Sequence, residues 1–162
     1  MSTSKKIDLL LNVWAIPQAN SKCCWLACHQ MLYEYRHGLG SRSEATTKLR
    51  NAGLSTDSAL YSDQWKKARN ALGLSSLRAT ALDDLDLVEW YLVSSGPIWS
   101  AGDFGSSDSG HAVLVSGIYY SNSTLRIHDP WVLATRGETE SMGHKRWYKL
   151  VSKNSYSCQL WW

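Results

Sequence analysis

The apolar positions change rhythm once along the chain. Up to Gly96 they recur three and four residues apart, the helical period, and from Pro97 they gather into short runs bounded by turn residues. After an extended start, Ser21 is placed to cap a helix over about residues 22–37. In that stretch Cys24, Cys28, Met31 and Tyr35 share one face, and Gly38 stands just past the end. Further helices are expected over about residues 43–52, 57–72 with Gly73 closing it, and 83–94, where Leu85, Val88 and Leu92 lie at helical spacing ahead of Gly96. Strands are expected at Pro97-Ile98-Trp99, from His111 to Tyr120, from Thr124 to His128, over about residues 146–151, and in a tail from Tyr156. Ser121-Asn122-Ser123 reads as a turn, and Asp129-Pro130 as a strand stop. Helices first and an antiparallel sheet afterwards make an α+β architecture.

Length and composition narrow this picture. A chain of 162 residues, with no repeat, linker or low-complexity tract, suits a single domain over residues 1–162 that buries about two-thirds of its unfolded surface. Hydrophobic residues make up 44% and charged residues 19%, which excludes a disordered chain, and no apolar run approaches the ~20 residues of a membrane span. The formal charge of +3 comes from scattered Lys and Arg, Lys5-Lys6 and Lys66-Lys67 being the densest pairs, so neither a nucleic-acid surface nor a membrane-surface helix is expected. Lys5 and Lys6 ahead of Leu9 to Leu11 mimic a signal peptide, but Asp8 and Asn12 interrupt the apolar stretch, and export by the general secretory route is not expected. Cys23, Cys24, Cys28 and Cys158 are too few and too clustered for a disulfide framework, which points to free thiols and a reducing place of action. Nine Trp against one Phe is an unusual balance: most of Trp14, Trp65, Trp90, Trp99, Trp131, Trp147, Trp161 and Trp162 suit core or rim packing, and the alternative is an aromatic-walled substrate cleft.

The candidate chemistry centres on Cys24. A cysteine in the first turn of a helix faces unpaired N–H groups and the positive end of the helix dipole, which favour thiolate; a small buried apolar side chain is the commoner fate of a cysteine taken alone. Gln18, six residues upstream, can place an amide beside the thiol as an oxyanion donor. His111 opens the strongest strand, inside Ser109-Gly110-His111-Ala112-Val113-Leu114-Val115, where Gly110 gives close access and the imidazole would stand at the sheet edge. Asp129 ends the next long strand, within reach of His111 if the two strands pair as a hairpin around residues 121–124. A nucleophile on a helix, a base on a strand and a carboxylate beside it form a Cys-His-Asp constellation.

These residues carry a resemblance. Gln18-x5-Cys24-Trp25-x-Ala27, Gly96-Pro97 opening a strand, Gly110-His111-Ala112-Val113 and Asp129-Pro130-Trp131 resemble, in order and spacing over about residues 14–135, the papain-like cysteine peptidases. The similarity is greatest to their compact bacterial branch of C39-like bacteriocin-leader-processing domains and secreted effector proteases. The resemblance implies a papain-like α+β fold with the nucleophile helix packed on a C-terminal antiparallel sheet. It implies Cys24 as nucleophile, His111 as general base and acid, Asp129 as orienter of the imidazole and Gln18 as oxyanion donor, with Trp25, Gly110 and Trp131 on the substrate. The larger papain-type enzymes carry Asn where Asp129 stands. Cys23 duplicates the nucleophile one place early, but the residue followed by Trp and separated from Gln18 by five is Cys24. His128 should point to the other strand face from Asp129, and His29, His37 and His144 suit surface or packing roles.

Cys24-x3-Cys28-His29 lacks a second ligand pair, so no metal is expected, and Gly102-Asp103-Phe104-Gly105 reads as a mobile loop and not as a phosphate cradle, so no cofactor is expected either. The expectation is therefore a cysteine endopeptidase acting on a protein or peptide substrate. Starting at Met1 without pro-segment or signal peptide, it fits an effector or toxin that is cytoplasmic in its producer, delivered by a specialised secretion system, active in a target-cell cytosol and paired with an immunity protein. The alternatives are a cell-wall peptide amidase or deamidase with the same triad, and a peptide-binding peptidase-like module.

Overall fold

The computed structural model describes residues 6–104 and 110–161. Lys5, Gly105, Ser109 and Trp162, which figure in the expectations above, lie outside the described residues. Helix α1 (Cys24–His37) is the hub: Cys28, Met31 and Leu32 are fully buried along it, and the chain leaves it at Gly38. Ser21 does not cap it. The N-cap is Cys23, which makes no side-chain capping bond, so no N-cap side chain occupies the first-turn N–H groups. Helix α2 (Arg42–Asn51) packs on α1, tied by Arg42 Nε donating to Glu34 Oε1 at 2.8 Å and Arg42 Nη2 to Glu34 Oε2 at 3.0 Å. The helix expected over residues 57–72 is shorter: a 3-10 turn at Ser62–Gln64 leads into α3 (Trp65–Leu72), closed by Gly73 at φ +72°. After strand β2 (Ser75–Leu77) and a second 3-10 turn, α4 (Leu85–Ser95) starts at Asp84, whose carboxylate accepts the Asp86 N–H.

The second half is β-rich, with two departures. Strands β3 (Ile98–Gly102), β4 (His111–Tyr119) and β5 (Thr124–His128) form as expected. Asp129-Pro130 stops β5 and also starts a helix, α5 (Pro130–Arg136), because a carboxylate at the N-cap followed by Pro is a helix-start signal as much as a strand stop. Edge strand β6 (Glu140–Gly143) precedes α6 (His144–Leu150), where a strand was expected; His144 and Trp147, three apart, are both buried, so the helical period wins. The tail forms β7 (Cys158–Leu160).

With the short β1 (Leu9–Leu10) on β4, these strands make one antiparallel sheet in the order β2-β7-β3-β4-β5-β6. Beta4 is therefore central, and His111 stands at its N-terminal end, not on a sheet edge. One apolar cluster joins Trp25, Cys28, Met31 and Leu32 of α1 to Trp99, Ala112 and Leu114 of the sheet. The other joins Val88 and Leu92 of α4 and Trp147 of α6 to Ile98, Val113, Val115 and Ile127. Alternate residues of β4 thus enter different cores, and its unbroken run Ala112 to Val115 follows from burial on both faces. Trp99 and Trp147 are core residues, whereas Trp14, Trp90 and Trp131 are exposed. Among the described residues no helix is long and apolar enough to cross a membrane.

Candidate active site

Cys24 is the first residue of α1, and its neighbours decide which thiol meets the cleft. Cys23 turns inward, 3% exposed, and its Sγ donates to the Thr56 carbonyl at 3.3 Å. Burial pushes the Cys23 thiol up, despite a hydrogen bond with Asn20. Cys28, one turn further, is fully buried against the Ala112 carbonyl, and burial pushes its thiol well up too. All four cysteines are free and only Cys24 is half-buried. It lines a cleft together with Lys22, Trp25, Leu60, Trp65 and Trp99 and with Gly110, His111 and Ala112 at the start of β4. Trp25 is held there by Nε1 donating to the Ser58 carbonyl at 2.9 Å.

The sheet brings the other groups to this point. Beta4 and β5 pair with Leu114 opposite His128, so the start of one strand and the residue just past the other come together. His111 Nε2 lies 2.7 Å from Asp129 Oδ1. Gly110, at φ +74°, turns the chain into β4 in a conformation that a side chain would strain. The same Asp129 oxygen caps α5, accepting the Trp131 N–H at 2.9 Å. Because Nε2 faces the carboxylate, Nδ1 is the nitrogen left for Cys24, with which His111 also shares a side-chain hydrogen bond. Burial alone would lower the imidazole's pKa; the bond to Asp129 and the bond and charge of Cys24 outweigh it and raise His111 to about 9.

The remaining expected residues divide. Gln18 is buried, its backbone N–H held by the Pro130 carbonyl at 3.2 Å; its Nε2 donates to the Asn20 carbonyl at 2.7 Å, while its Oε1 is buried without a protein partner. Trp25 and Gly110 line the cleft, but Trp131 does not: it stands at the start of α5, 53% exposed. His128, one residue from Asp129, is 2% exposed with neither ring nitrogen hydrogen-bonded, and burial, with Arg126 nearby, pushes it down to about 4. Sequence reasoning left Trp65 and Trp99 among the packing tryptophans and did not single out Leu60; the surplus of tryptophan was the one signal that a cleft could be lined with them.

A family model described as papain-like cysteine protease AvrRpt2 matches residues 3–147. No curated protein matches the chain significantly. Among solved structures, a protein from Bacillus anthracis described as a C39-like peptidase superposes with a TM-score of 0.66 at 11% identity, over 97% of this chain and 98% of its own. The peptidase domain of Streptococcus ComA, a bi-functional ABC transporter of a quorum-sensing pathway, gives 0.58 at 15% identity over 91% and 95%. A double glycine motif protease from an AMS/PCAT transporter, solved in complex with the leader peptide, gives 0.55 at 16% identity over 96% of each chain. At these identities the likeness speaks for a shared fold, and the family match speaks for the chemistry. The chain belongs to the AvrRpt2 family of papain-like cysteine proteases.

Proposed function

We propose that this peptidase, acting as one domain over residues 1–162, cleaves a protein substrate through Cys24, His111 and Asp129. The observation that carries the reading is the 2.7 Å contact of His111 Nε2 with Asp129, on an imidazole that also bonds the half-buried Cys24 at the rim of an aromatic cleft. In this mechanism Cys24 Sγ attacks the scissile carbonyl and the carbonyl π electrons move to oxygen. The first-turn N–H groups of α1 and the second Nε2–H of Gln18 hold that oxyanion. The tetrahedral species collapses, the C–N bond breaks, and His111 passes its Nδ1 proton to the leaving amine. His111 then takes a proton from water, whose oxygen attacks the thioester and releases Cys24. Asp129 keeps the Nε2–H in place throughout.

We extend the reading to an effector or toxin that works in the reducing cytosol of a target cell and is held in check by an immunity protein in its producer. Support comes from the four free cysteines, one of them reactive by position. The test is to express wild type and Cys24→Ala in candidate target cells and map new protein N-termini by mass spectrometry. The proposal expects termini that appear with the wild type alone and that are reproduced by purified enzyme on the purified substrate; identical profiles from both proteins would overturn it.

A further inference from the structure

Below the cleft lies a polar cluster that the mechanism does not use. Gln159 of β7 is fully buried, paired in register with Trp99 of β3. Its Nε2 donates to the Trp65 carbonyl at 3.0 Å and to the Tyr156 carbonyl at 3.1 Å. Both amide hydrogens are thereby used, so the amide cannot turn over, and Oε1 must be the atom that faces His29 Nε2 at 3.0 Å. His29, fully buried in α1, therefore carries a proton on Nε2, and the burial that pushes it down to about 4 keeps the ring neutral at ordinary pH. Its ring stacks on Trp99 at 4.7 Å between centroids, and Trp99 meets Trp65 edge-on at 6.0 Å while its Nε1 donates to the Trp25 carbonyl at 3.3 Å. One side chain from the last strand thus holds Trp65, the first residue of α3, and a histidine of the nucleophile helix, with Trp99 in ring contact with both. Beta7 lies beyond the stretch that the family model matches.

We propose that Gln159, through His29 and the Trp65 carbonyl, is a positioning residue that holds the Trp65–Trp99 wall against which the substrate side chain next to the scissile bond packs. The inference rests on Cys24 being the nucleophile of a peptidase. The probes are iodoacetamide, too small to use the wall, and benzyloxycarbonyl-Ala-Leu chloromethyl ketone, whose methylene carbon is attacked by Cys24 Sγ with loss of chloride while its leucyl side chain, next to the reacting centre, lies in the cleft. Saturation kinetics give KI and the limiting rate, and mass spectrometry identifies the alkylated residue. Gln159→Leu leaves the Trp65 carbonyl and the His29 donor unpaired, and His29→Phe keeps a ring on Trp99 but removes the donor to Gln159. Each should raise KI about tenfold while the limiting rate and the iodoacetamide rate stay within about a factor of two. A lowered melting temperature with unchanged KI in either folded variant would mean that the cluster only stabilises the fold, as would failure of both variants to fold; either result overturns the proposal. Failure of the wild type to show saturable alkylation at Cys24 would instead remove the peptidase reading beneath it.

Discussion

The proton on His111 gives the most direct access to the geometry of the site. Raising its pKa from the ordinary 6.5 to about 9 corresponds to about 3 kcal/mol in favour of the imidazolium. Side-chain exposure is 12% for both His111 and Asp129, so water screens the pair little. A cation whose pKa is raised by folding stabilises the fold fully below pH 6.5, and this contribution is lost as the pH rises towards 9. Asp129→Asn keeps a carbonyl oxygen that can accept from both His111 Nε2 and the Trp131 N–H but deletes the charge, and should lower the His111 pKa by about one unit. Asp129→Ala also deletes the acceptor, so the pKa should fall further. Loss of the α5 cap should lower stability by about 1 kcal/mol in that variant and not in Asp129→Asn.

The assay is a titration of carbon-13-labelled histidine followed by NMR, paired with the rate of Cys24 alkylation by iodoacetate, whose carboxylate is drawn in by the imidazolium. Background alkylation is low, and two of the five imidazoles do not compete in the titration. His29 and His128 are pushed down to about 4 and stay neutral across the range, and Cys23, Cys28 and Cys158 are 3% exposed or less. Alkylation in the wild type should fall off near pH 9, earlier in Asp129→Asn, and earlier still in Asp129→Ala. A wild-type His111 that titrates near 6.5, or a value that neither substitution moves, would refute the claim that Asp129 holds the proton on this ring.

Three further outcomes are expected. Cys24→Ala should abolish peptidase activity, whereas Cys23→Ser, which replaces a thiol facing the Thr56 carbonyl by a hydroxyl that can still donate, should leave kcat within a few-fold as measured on folded enzyme. Gln18→Ala should lower kcat about 100-fold with little change in KM or melting temperature if its free Nε2–H meets the oxyanion, and a lowered melting temperature with unchanged kcat would reduce it to a loop brace. Glu34, held below the usual carboxylate range because Arg42 and the Gly40 N–H outweigh its burial, contributes stability above its ordinary pKa of 4.5 that is lost as the pH falls. Since Arg42 is 42% exposed, Glu34→Gln should cost about 2 kcal/mol in chemical denaturation at neutral pH and should flatten the acid limb of the stability curve.

Much of the architecture was legible because the relevant signals are local. Gly38, Gly73 and Gly96 follow the helices that they were read to end, and all three have positive φ, at +95°, +72° and +86°. Thr124–His128 is a strand at the expected bounds, because a turn and an Asp-Pro stop bracket it. The misreadings have one origin, an element whose signal depends on what packs against it. Residues 146–151 carry apolar and aromatic positions compatible with either period, and only the shared burial of His144 and Trp147 makes them helical. Ser21 is a good cap by type, but the Cys23 N–H reaches the Asn20 carbonyl in a turn whose buried Cys23 thiol is anchored on Thr56, and the helix begins at the nucleophile instead.

The site divides along the same line. Cys24, His111 and Asp129 could be read together because each sits at an end of an element that announces itself: a helix start, a strand start after Gly110, and a strand stop before Pro130. Once β4 and β5 pair across the turn at residues 121–123, the last two must converge, so their meeting is a consequence of hairpin register and short-range in sequence. The cleft wall has no such shortcut. Trp65 begins a helix, Trp99 lies in a strand and Leu60 in a loop, and nothing in their spacing brings them together. The two tryptophans meet because β7 is inserted between β2 and β3 and carries Gln159 to the Trp65 carbonyl and to His29, 130 residues away along the chain. Loop closure over that distance yields no local period to detect, so the residues that form the cleft become visible only when strand order is known. A peptidase of this shape announces its reacting atoms in short motifs and hides the cleft around them in topology, so variants chosen by motif alone would probe the chemistry and miss the wall.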